Sequence, residues 1–313
     1  MILTKLQQVN IKNMSDNKAL SDYIQTLRVE SGSTVNLNKI PTDAEHNFIS
    51  KEEGLELLDS NQEEIALLQS KLYAHNRHSL LIIVQAMDAA GKDSAIKEVA
   101  SGFNPIGLKA TSFKTPTSEE LEHDYLWRHV KALPSRGDVS VWNRSHYENV
   151  LVTRVHPEYL LNENLPGIEK VSDVKDDFWK TRFKQINHFE KSLHENGTII
   201  LKFFLHVSQK EQKKRFLERI DNPAKNWKFS LQDLEERKLW PQYMKAYEEL
   251  LIATSQDYSP WFIIPADDKW FTRVCMNAVI LQEFNKMKID FPSTPEPLKK
   301  ELEIARKQLM EEK

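Results

Sequence analysis

The chain has 313 residues, of which 40% are hydrophobic and 28% are charged, and its formal net charge is −3. This length can bury one large core or two modest ones, and the slightly acidic balance excludes a protein that is basic overall and binds nucleic acid through its charge. The single cysteine, Cys275, excludes an internal disulfide framework and is typical of a reducing compartment. Because no window is apolar for long enough to cross a membrane and the first residues lack a signal-peptide pattern, we expect a cytoplasmic protein with no membrane partner.

Apolar runs and helical periodicities alternate along the chain. Residues 1–45 are polar and weakly patterned, and we expect an irregular arm there. Five runs predict strands, at 80–84, 109–114, 138–142, 198–207 and 261–264. Helices are predicted at 51–76, 94–100, 118–133, 145–152, 176–195, 208–220, 230–254 and 267–288, with a loop at 157–173. From Pro292 onward the tail predicts a charged helix, either an oligomer contact or a solvated end.

This alternation predicts an α/β fold with a five-stranded parallel sheet covered by helices on both faces. Right-handed crossovers place the carboxyl ends of all strands at one edge, where ligands bind in the crevice. Residues 86–94, 113–116 and 143–145 follow three of these strands, so we expect them to meet in space.

The stretch from Leu80 to Ser101 has the layout of a phosphate-binding loop. A strand buried on both faces is followed by a turn containing Gly91 and Lys92, and then by a helix whose first N–H groups and dipole favour an anion. The motif departs from the consensus, because Ala86 replaces the first glycine and Asp93 replaces the hydroxyl residue. The alternative is an ordinary strand-to-helix turn with an exposed lysine. The expected phosphate ligands here are Ala89, Ala90, Gly91, Lys92, Asp93, Ser94 and Lys97.

Acidic and polar side chains at two strand ends predict a metal site and a transfer site. The Asp88 carboxylate would repel a bound phosphate unless it binds a metal ion or acts on a phosphate group that reacts. Asn143 is neutral where phosphate-loop enzymes often have a magnesium-binding Asp, so Asp88 and Asp93 are the candidate metal ligands. Arg144 can neutralise charge on a phosphoryl group in transfer. The alternative is a polar pair that caps the next helix.

Basic residues follow the fourth strand between 210 and 228. Arg215 and Arg219 are four residues apart and share one helix face, and Lys225 and Lys228 come shortly after. Such a run is often only a solvated surface, but its position favours a lid that closes over phosphates and excludes water. Lys114, at the end of the second strand, is expected to face the same crevice.

Several separated segments in the right order resemble the second family of polyphosphate kinases, covering roughly residues 45–290. They are AMDAAGKDSAIK, FNPIG, SFKTPTSEELEHDYLWR, VWNRSHYENVLVTRVHPE, FLERIDNPAKNWKFSLQDLEERKLW and YSPWFIIPADDKWF. The set is most similar to the third class of that family, which accepts both AMP and ADP. The resemblance implies a three-layer phosphate-loop kinase fold and a homo-oligomer, dimer or tetramer. It also implies transfer between polyphosphate and adenine nucleotides that depends on Mg²⁺, with Mn²⁺ and guanine nucleotides left open.

The resemblance also implies residue roles. Asp88, Lys92 and Arg144 are expected to be catalytic. The lid is expected to span about 209–240, with Arg215, Arg219, Lys225 and Lys228 on polyphosphate. The expected nucleotide-binding residues are Lys114, Asn143, Arg144 and Arg154.

The expected domains are an N-terminal arm at 1–45, a kinase domain at 46–290 and a helical tail at 291–313. Two other functions remain open at this point: an ATP-dependent nucleoside monophosphate kinase on the same fold, and a module that binds polyphosphate or nucleotide without catalysis.

Overall fold

A sheet of six strands runs through the centre of the protein, and the computed structural model describes residues 18–44 and 49–312. The strands are β1 (Arg28–Val29), β2 (Ser79–Ala86), β3 (Leu108–Ser112), β4 (Val139–Asn143), β5 (Thr198–His206) and β6 (Trp261–Pro265). Their order across the sheet is β1-β6-β5-β2-β4-β3. Strands β2 to β6 are parallel, and β1 pairs antiparallel with β6. The predicted α/β class and the five predicted parallel strands are therefore confirmed, and β1 is a short sixth strand at the edge.

Twelve described α-helices accompany the sheet. They are α1 (Lys18–Thr26), α2 (Lys51–His75), α3 (Lys92–Ser101), α4 (Ser118–Leu121), α5 (Trp127–Val130), α6 (Glu148–Val155), α7 (Asp176–Glu195), α8 (Gln209–Asp221), α9 (Leu231–Lys238), α10 (Trp240–Thr254), α11 (Lys269–Lys286) and α12 (Glu296–Glu311). Helices α2, α3 and α11 pack together in one group, and α6, α7 and α10 in another. Every residue of β2 is buried, as expected of a central strand in a parallel sheet. Within the described ranges, each helix is too short or too polar to traverse a bilayer.

Part of the expected irregular arm is regular structure. Residues 18–29 form α1 and β1, and Leu20 and Ile24 of α1 are completely buried. Two apolar residues four apart suffice to dock a nine-residue helix on a core that the rest of the chain provides. So short a pattern is hard to distinguish in a polar sequence. Residues 1–17 and residue 45 of this arm lie outside the described residues.

Two predicted helices are divided in the structure. The helix expected at 118–133 becomes α4 and α5, because Thr117 caps α4 in place of Ser118 and the Asp124 side chain accepts the Leu126 N–H at 2.8 Å in the turn between them. The helix expected at 230–254 becomes α9 and α10, with Pro241 in the first turn of α10, where its missing N–H costs nothing. The predicted loop at 157–173 contains two 3₁₀ turns, Pro157–Glu163 and Val171–Asp173.

One half of a capping box is present at the start of α8. Ser208 Oγ accepts the Glu211 N–H at 3.0 Å, but the Ser208 N–H donates to Asp267 Oδ1 at 2.7 Å. The Glu211 carboxylate pairs instead with Arg215. In the predicted C-terminal tail, α12 forms the expected charged helix, and none of its residues is buried.

Candidate active site

A cleft of about 690 Å³ lies beyond the carboxyl ends of β2, β3 and β4. The three segments that were expected to meet there do so, since residues 88–94, 112–115 and 143–144 all line the cleft. Residues from α8 and the segment after it form another wall. Of the predicted site residues, those that line the cleft are Asp88, Ala89, Ala90, Gly91, Lys92, Asp93, Ser94, Lys114, Asn143, Arg144, Arg215, Arg219, Lys225 and Lys228.

The phosphate loop, residues 86–94, has a backbone that leaves N–H groups for a ligand. Ala89 and Gly91 are left-handed, with φ of 59° and 101°, which costs about 1–2 kcal/mol for a non-glycine residue such as Ala89. Within the described chain, neither the Ala89 N–H nor the Gly91 N–H has an acceptor. Ser94, in the first turn of α3, donates its hydroxyl to the Gly91 carbonyl at 2.9 Å and so closes the loop onto the helix. Such a loop at a helix start is suited to an anion.

Lys92 lies at the mouth of this loop. Its Nζ donates to the Ala86 carbonyl at 2.7 Å and to the Met87 carbonyl at 3.3 Å, so the ammonium folds back on the loop rather than reaching outward. Burial, and to a smaller extent the charge of Arg144, lowers the pKa of Lys92 to about 8. A phosphate in the loop would replace the two carbonyls as the partner of this ammonium.

Arg144 bridges two carboxylates. It has a left-handed φ of 64°, which turns its side chain back over the cleft at the end of β4. Its Nη2 lies 3.2 Å from Asp88 Oδ1, and its Nη1 lies 3.5 Å from Glu148 Oε2. The carboxylate of Glu148, followed by that of Asp88, raises the pKa of Arg144 against the opposing effect of burial, while burial raises the pKa of Glu148. Sequence reasoning missed Glu148, although its spacing of four residues from Arg144 at the start of a helix was a usable signal.

The two candidate metal ligands border the same space. Asp93 Oδ1 accepts a hydrogen bond from Asn143 Nδ2 at 2.9 Å, and Asp88 contacts Arg144. Among the described residues, no cluster of three or more His, Cys, Asp or Glu side chains could hold a metal by itself. Two carboxylates in a polar cleft suit Mg²⁺, which keeps several waters and shares substrate phosphates. The donor set therefore fits a magnesium ion whose other ligands are water or phosphate oxygens.

A buried polar cluster holds the turn after β4, which contains Arg144. Tyr147, fully buried, donates its hydroxyl to Glu190 Oε1 at 2.7 Å, and Lys202 Nζ lies 2.6 Å from Glu190 Oε2. His146 Nε2 lies 3.3 Å from the same carboxylate, and burial lowers the pKa of this imidazole. Since His146 and Tyr147 lie two and three residues after Arg144, their anchoring limits the movement of the Arg144 backbone.

Arg215 has a different place from the one expected of a lid arginine. Its side chain is 5% exposed, and its guanidinium donates to protein atoms only: to Glu211 through Nε, to the Ala89 and Ala90 carbonyls through Nη1, and to two further carbonyls through Nη2. These contacts use the five N–H groups that an arginine has. Arg215 borders the cleft, but it holds the phosphate loop from behind.

The other basic residues of the predicted lid are open to the cleft. Arg219 is partly exposed, with Nη1 3.7 Å from Asp233 Oδ2 and 3.4 Å from the Lys228 carbonyl. Lys225 and Lys228 are exposed; Lys225 precedes a 3₁₀ turn, Asn226–Lys228, and Lys228 is its last residue. Sequence reasoning did not single out Asp233, or the Glu218 and Lys269 side chains that complete this wall.

Two predicted site residues do not line the cleft. Lys97 is exposed on α3, one turn beyond Asp93. Arg154 lies six residues after Glu148 on α6 and therefore on a different face of the helix. It pairs with Glu249 at 2.9 Å and stacks over the Trp179 ring at 4.8 Å. The structure thus gives Arg154 contacts between helices rather than a place beside the phosphate loop.

Comparison with known proteins gives consistent matches. The family model described as "Polyphosphate kinase 2 (PPK2)" matches residues 48–292. The chain is 49% identical over 283 residues to an ADP-polyphosphate phosphotransferase of Rhodopseudomonas palustris, covering 90% of this chain and 97% of the relative. It is 40% identical over 266 residues to an AMP/ADP-polyphosphate phosphotransferase of Meiothermus ruber, covering 85% and 94%. A crystal structure of polyphosphate kinase 2 from Arthrobacter aurescens superposes with a TM-score of 0.79 at 35% identity, covering 90% of this chain and 96% of that one.

Proposed function

Because the chain belongs to the polyphosphate kinase 2 family, we propose that it transfers phosphoryl groups between inorganic polyphosphate and AMP or ADP, forming ADP or ATP. The observation that carries this proposal is the meeting of Asp88, Lys92 and Arg144 around one phosphate loop with free N–H groups. Phosphoryl transfer depends mainly on positioning and electrostatic stabilisation, and these groups provide both.

The cleft wall supports polyphosphate as the phosphoryl donor. A phosphate chain needs a row of cations more than it needs recognition of a base. The cleft presents Lys92, Arg219, Lys225, Lys228 and Lys269 along its length. The whole chain has a net charge of −3, so attraction for a polyanion has to come from this local group of cations. Lys97 would extend the row only for a chain that leaves the cleft over α3.

Each central residue has a proposed role in the transfer. The acceptor is a phosphate oxygen that is already ionised near neutral pH, so no strong general base is required. Asp88 orients the acceptor phosphate. Lys92 and Arg144 stabilise the charge of the phosphoryl group in transfer, and the raised pKa of Arg144 keeps its guanidinium charged at every working pH. Lys114 and Asn143 border the same space and are proposed to contact the nucleotide phosphates.

We propose that Asp88 and Asp93 hold Mg²⁺, or Mn²⁺ in its place. The ion supplies charge neutralisation and alignment of the phosphate oxygens when it is bound. The Asn143 amide holds the Asp93 carboxylate at 2.9 Å, and Arg144 holds that of Asp88 at 3.2 Å. The protein thus orients both carboxylates before the metal arrives.

The deciding experiment offers AMP, ADP, GMP and GDP to the purified protein with Mg²⁺ and either polyphosphate or ATP as the donor. We expect AMP and ADP to be phosphorylated with polyphosphate and Lys92→Ala to abolish transfer while remaining folded. Transfer with ATP alone would instead support a nucleoside monophosphate kinase. Retained binding without turnover at saturating Mg²⁺ would support a binding module. Rates with GMP and GDP decide whether guanine nucleotides are substrates.

We further propose a homo-oligomer, dimer or tetramer, that works in the cytoplasm, with residues 46–290 as its catalytic unit. Light scattering coupled to gel filtration measures the assembly directly. A monomer at micromolar concentration that retains full activity would contradict the oligomer.

A further inference from the structure

Helix α8 presents two buried side chains, Gln212 and Arg215, to the back of the phosphate loop. They are three residues apart and therefore lie side by side on the helix. Gln212 Nε2 donates to the Asp88 carbonyl at 2.9 Å. Arg215 Nη1 donates to the Ala89 carbonyl at 3.2 Å and to the Ala90 carbonyl at 2.6 Å. Three successive carbonyls of the loop are thus bound by side chains from a single helix.

These contacts determine the direction of the loop N–H groups. In a planar trans peptide, the carbonyl of one residue and the N–H of the next point in opposite directions. Holding the Asp88 and Ala90 carbonyls at the back therefore turns the N–H groups of Ala89 and Gly91 toward the cleft. Neither of these two N–H groups has an acceptor within the described chain. The left-handed φ of Ala89 is unfavourable for an alanine, so the loop needs such external contacts to keep this conformation.

Arg215 also ties the loop to the end of β6. Its Nη2 donates to the Ala266 carbonyl at 2.7 Å and to the Asp267 carbonyl at 2.9 Å, while Nε donates to Glu211 Oε1 at 2.9 Å. A lysine has three donors on one atom and cannot span two pairs of carbonyls. The position therefore requires the planar fork of an arginine and not only a positive charge.

Gln212 links the loop to α9. Its Oε1 accepts from Arg237 Nη1 at 2.5 Å, and the same nitrogen donates to the Gln209 carbonyl at 3.0 Å. Because arginine only donates, this contact orients the Gln212 amide so that its NH₂ group faces Asp88. Helix α9 also carries Asp233, which lines the cleft and pairs with Arg219.

We propose that Gln212 and Arg215 are positioning residues that hold the phosphate loop in its anion-accepting conformation, and that Arg237 couples this conformation to the placement of α9. This inference rests on the proposed phosphotransferase function. Arg215 acts through the loop main chain, in contrast to Arg219, which faces the cleft with its charge.

The test compares Arg215→Lys with Arg219→Lys, since both variants keep the positive charge. For Arg215→Lys, we expect kcat with ADP and polyphosphate to fall on the order of 100-fold, the scale of a misplaced reacting group, with a small change in the KM for polyphosphate. For Arg219→Lys, we expect mainly an increase in the KM for polyphosphate. Circular dichroism and thermal unfolding verify that each variant is folded.

A second measurement needs no turnover, nucleotide or metal. Hydrogen exchange of the ligand-free protein is followed in the peptide covering residues 86–92, where the Ala90 N–H donates to the Met87 carbonyl at 3.2 Å. We expect this peptide to exchange faster in Arg215→Lys and Gln212→Met, and to exchange as in the wild type in Arg219→Lys. Unchanged exchange in Arg215→Lys, or a kinetic profile like that of Arg219→Lys, would overturn the positioning role.

The coupling to α9 is tested by a double-mutant cycle. We expect Arg237→Met and Gln212→Met to lower kcat together with less than additive effect, because both remove one connection. Lys238→Met is the matched control, since the exposed Lys238 side chain on α9 forms its ion pair and hydrogen bonds with Glu235 alone among the described residues. Additive effects, or equal losses in Lys238→Met, would refute the coupling. A wild type that transfers nothing to any nucleotide would refute the proposed function, and hydrogen exchange would still decide the positioning role.

Discussion

Deprotonation of Lys92 is expected to set the alkaline limit of kcat/KM for polyphosphate. Burial, followed by the charge of Arg144, lowers the pKa of this ammonium from 10.5 to about 8. A shift of that size corresponds to about 3 kcal/mol of preference for the neutral amine. By the same relation, roughly nine tenths of the free enzyme carry the proton at pH 7 and roughly one tenth at pH 9.

A bound phosphate should raise the pKa of Lys92 again, so that its ammonium keeps the proton in the complex. A single negative charge about 4 Å from the ammonium contributes about 4 kcal/mol at an effective dielectric constant of 20, enough to return the pKa above 10. Since kcat/KM reports the free enzyme and kcat reports the complex, the two should separate. We expect kcat/KM to fall about tenfold per pH unit above pH 8 while kcat stays level to about pH 9.5.

The assay measures initial rates of ATP formation from ADP and polyphosphate between about pH 6.5 and 9.5, at constant free Mg²⁺ and ionic strength. Lys92→Arg is the control, because a guanidinium does not titrate in this range. This variant should be slower, but without the alkaline fall. A wild-type kcat/KM that stays level to pH 9.5, or the same fall in Lys92→Arg, would refute the reasoning.

The lowered pKa of Lys92 also predicts how stability depends on pH in the ligand-free protein. The folded pKa of about 8 lies below the ordinary value of 10.5, so the unfolded chain binds more protons between these two pH values. The cost of burying the ammonium is complete below pH 8 and is relieved as the pH rises toward 10.5. The free energy of unfolding of the wild type should therefore rise relative to that of Lys92→Met across this window in urea titrations. Parallel curves for the two proteins would contradict the shift.

Three further variants and one control variant test the site and its support. Asp88→Asn should abolish transfer and raise the Mg²⁺ needed for any residual rate, with an unchanged unfolding midpoint; a rate near that of the wild type would remove Asp88 from the site. Arg219→Ala should raise the KM for polyphosphate about tenfold, the scale of one charge-assisted hydrogen bond, with the KM for ADP nearly constant, and equal changes in both constants would exclude a specific polyphosphate contact. Lys202→Met leaves the Glu190 carboxylate buried without its ammonium and should lower the free energy of unfolding by about 3–5 kcal/mol. Lys191→Met breaks an exposed pair and should cost less than about 1 kcal/mol, so similar losses in the two lysine variants would show that the buried pair contributes little.

Much of the fold could be predicted from local pattern. Buried parallel strands are short apolar runs, and the alternation with amphipathic helices implies one sheet edge where the strand ends meet. The phosphate loop is also local, since a strand, Gly91, Lys92 and a helix start are consecutive in the chain. Short elements such as α1 and β1 were missed because their stability comes from docking on a core formed by distant residues.

The sequence by itself determined the α/β class, the phosphate loop and the candidate charged residues, because each depends on residues that are close together in the chain. Only the tertiary structure decided what those charges do. The Arg215 guanidinium donates to the Ala90 carbonyl, 125 positions away in the chain. No local pattern distinguishes Arg215 from Arg219, which lies four residues later and is open to the cleft. Side-chain roles of this kind depend on which long-range acceptor is within reach, and packing determines that.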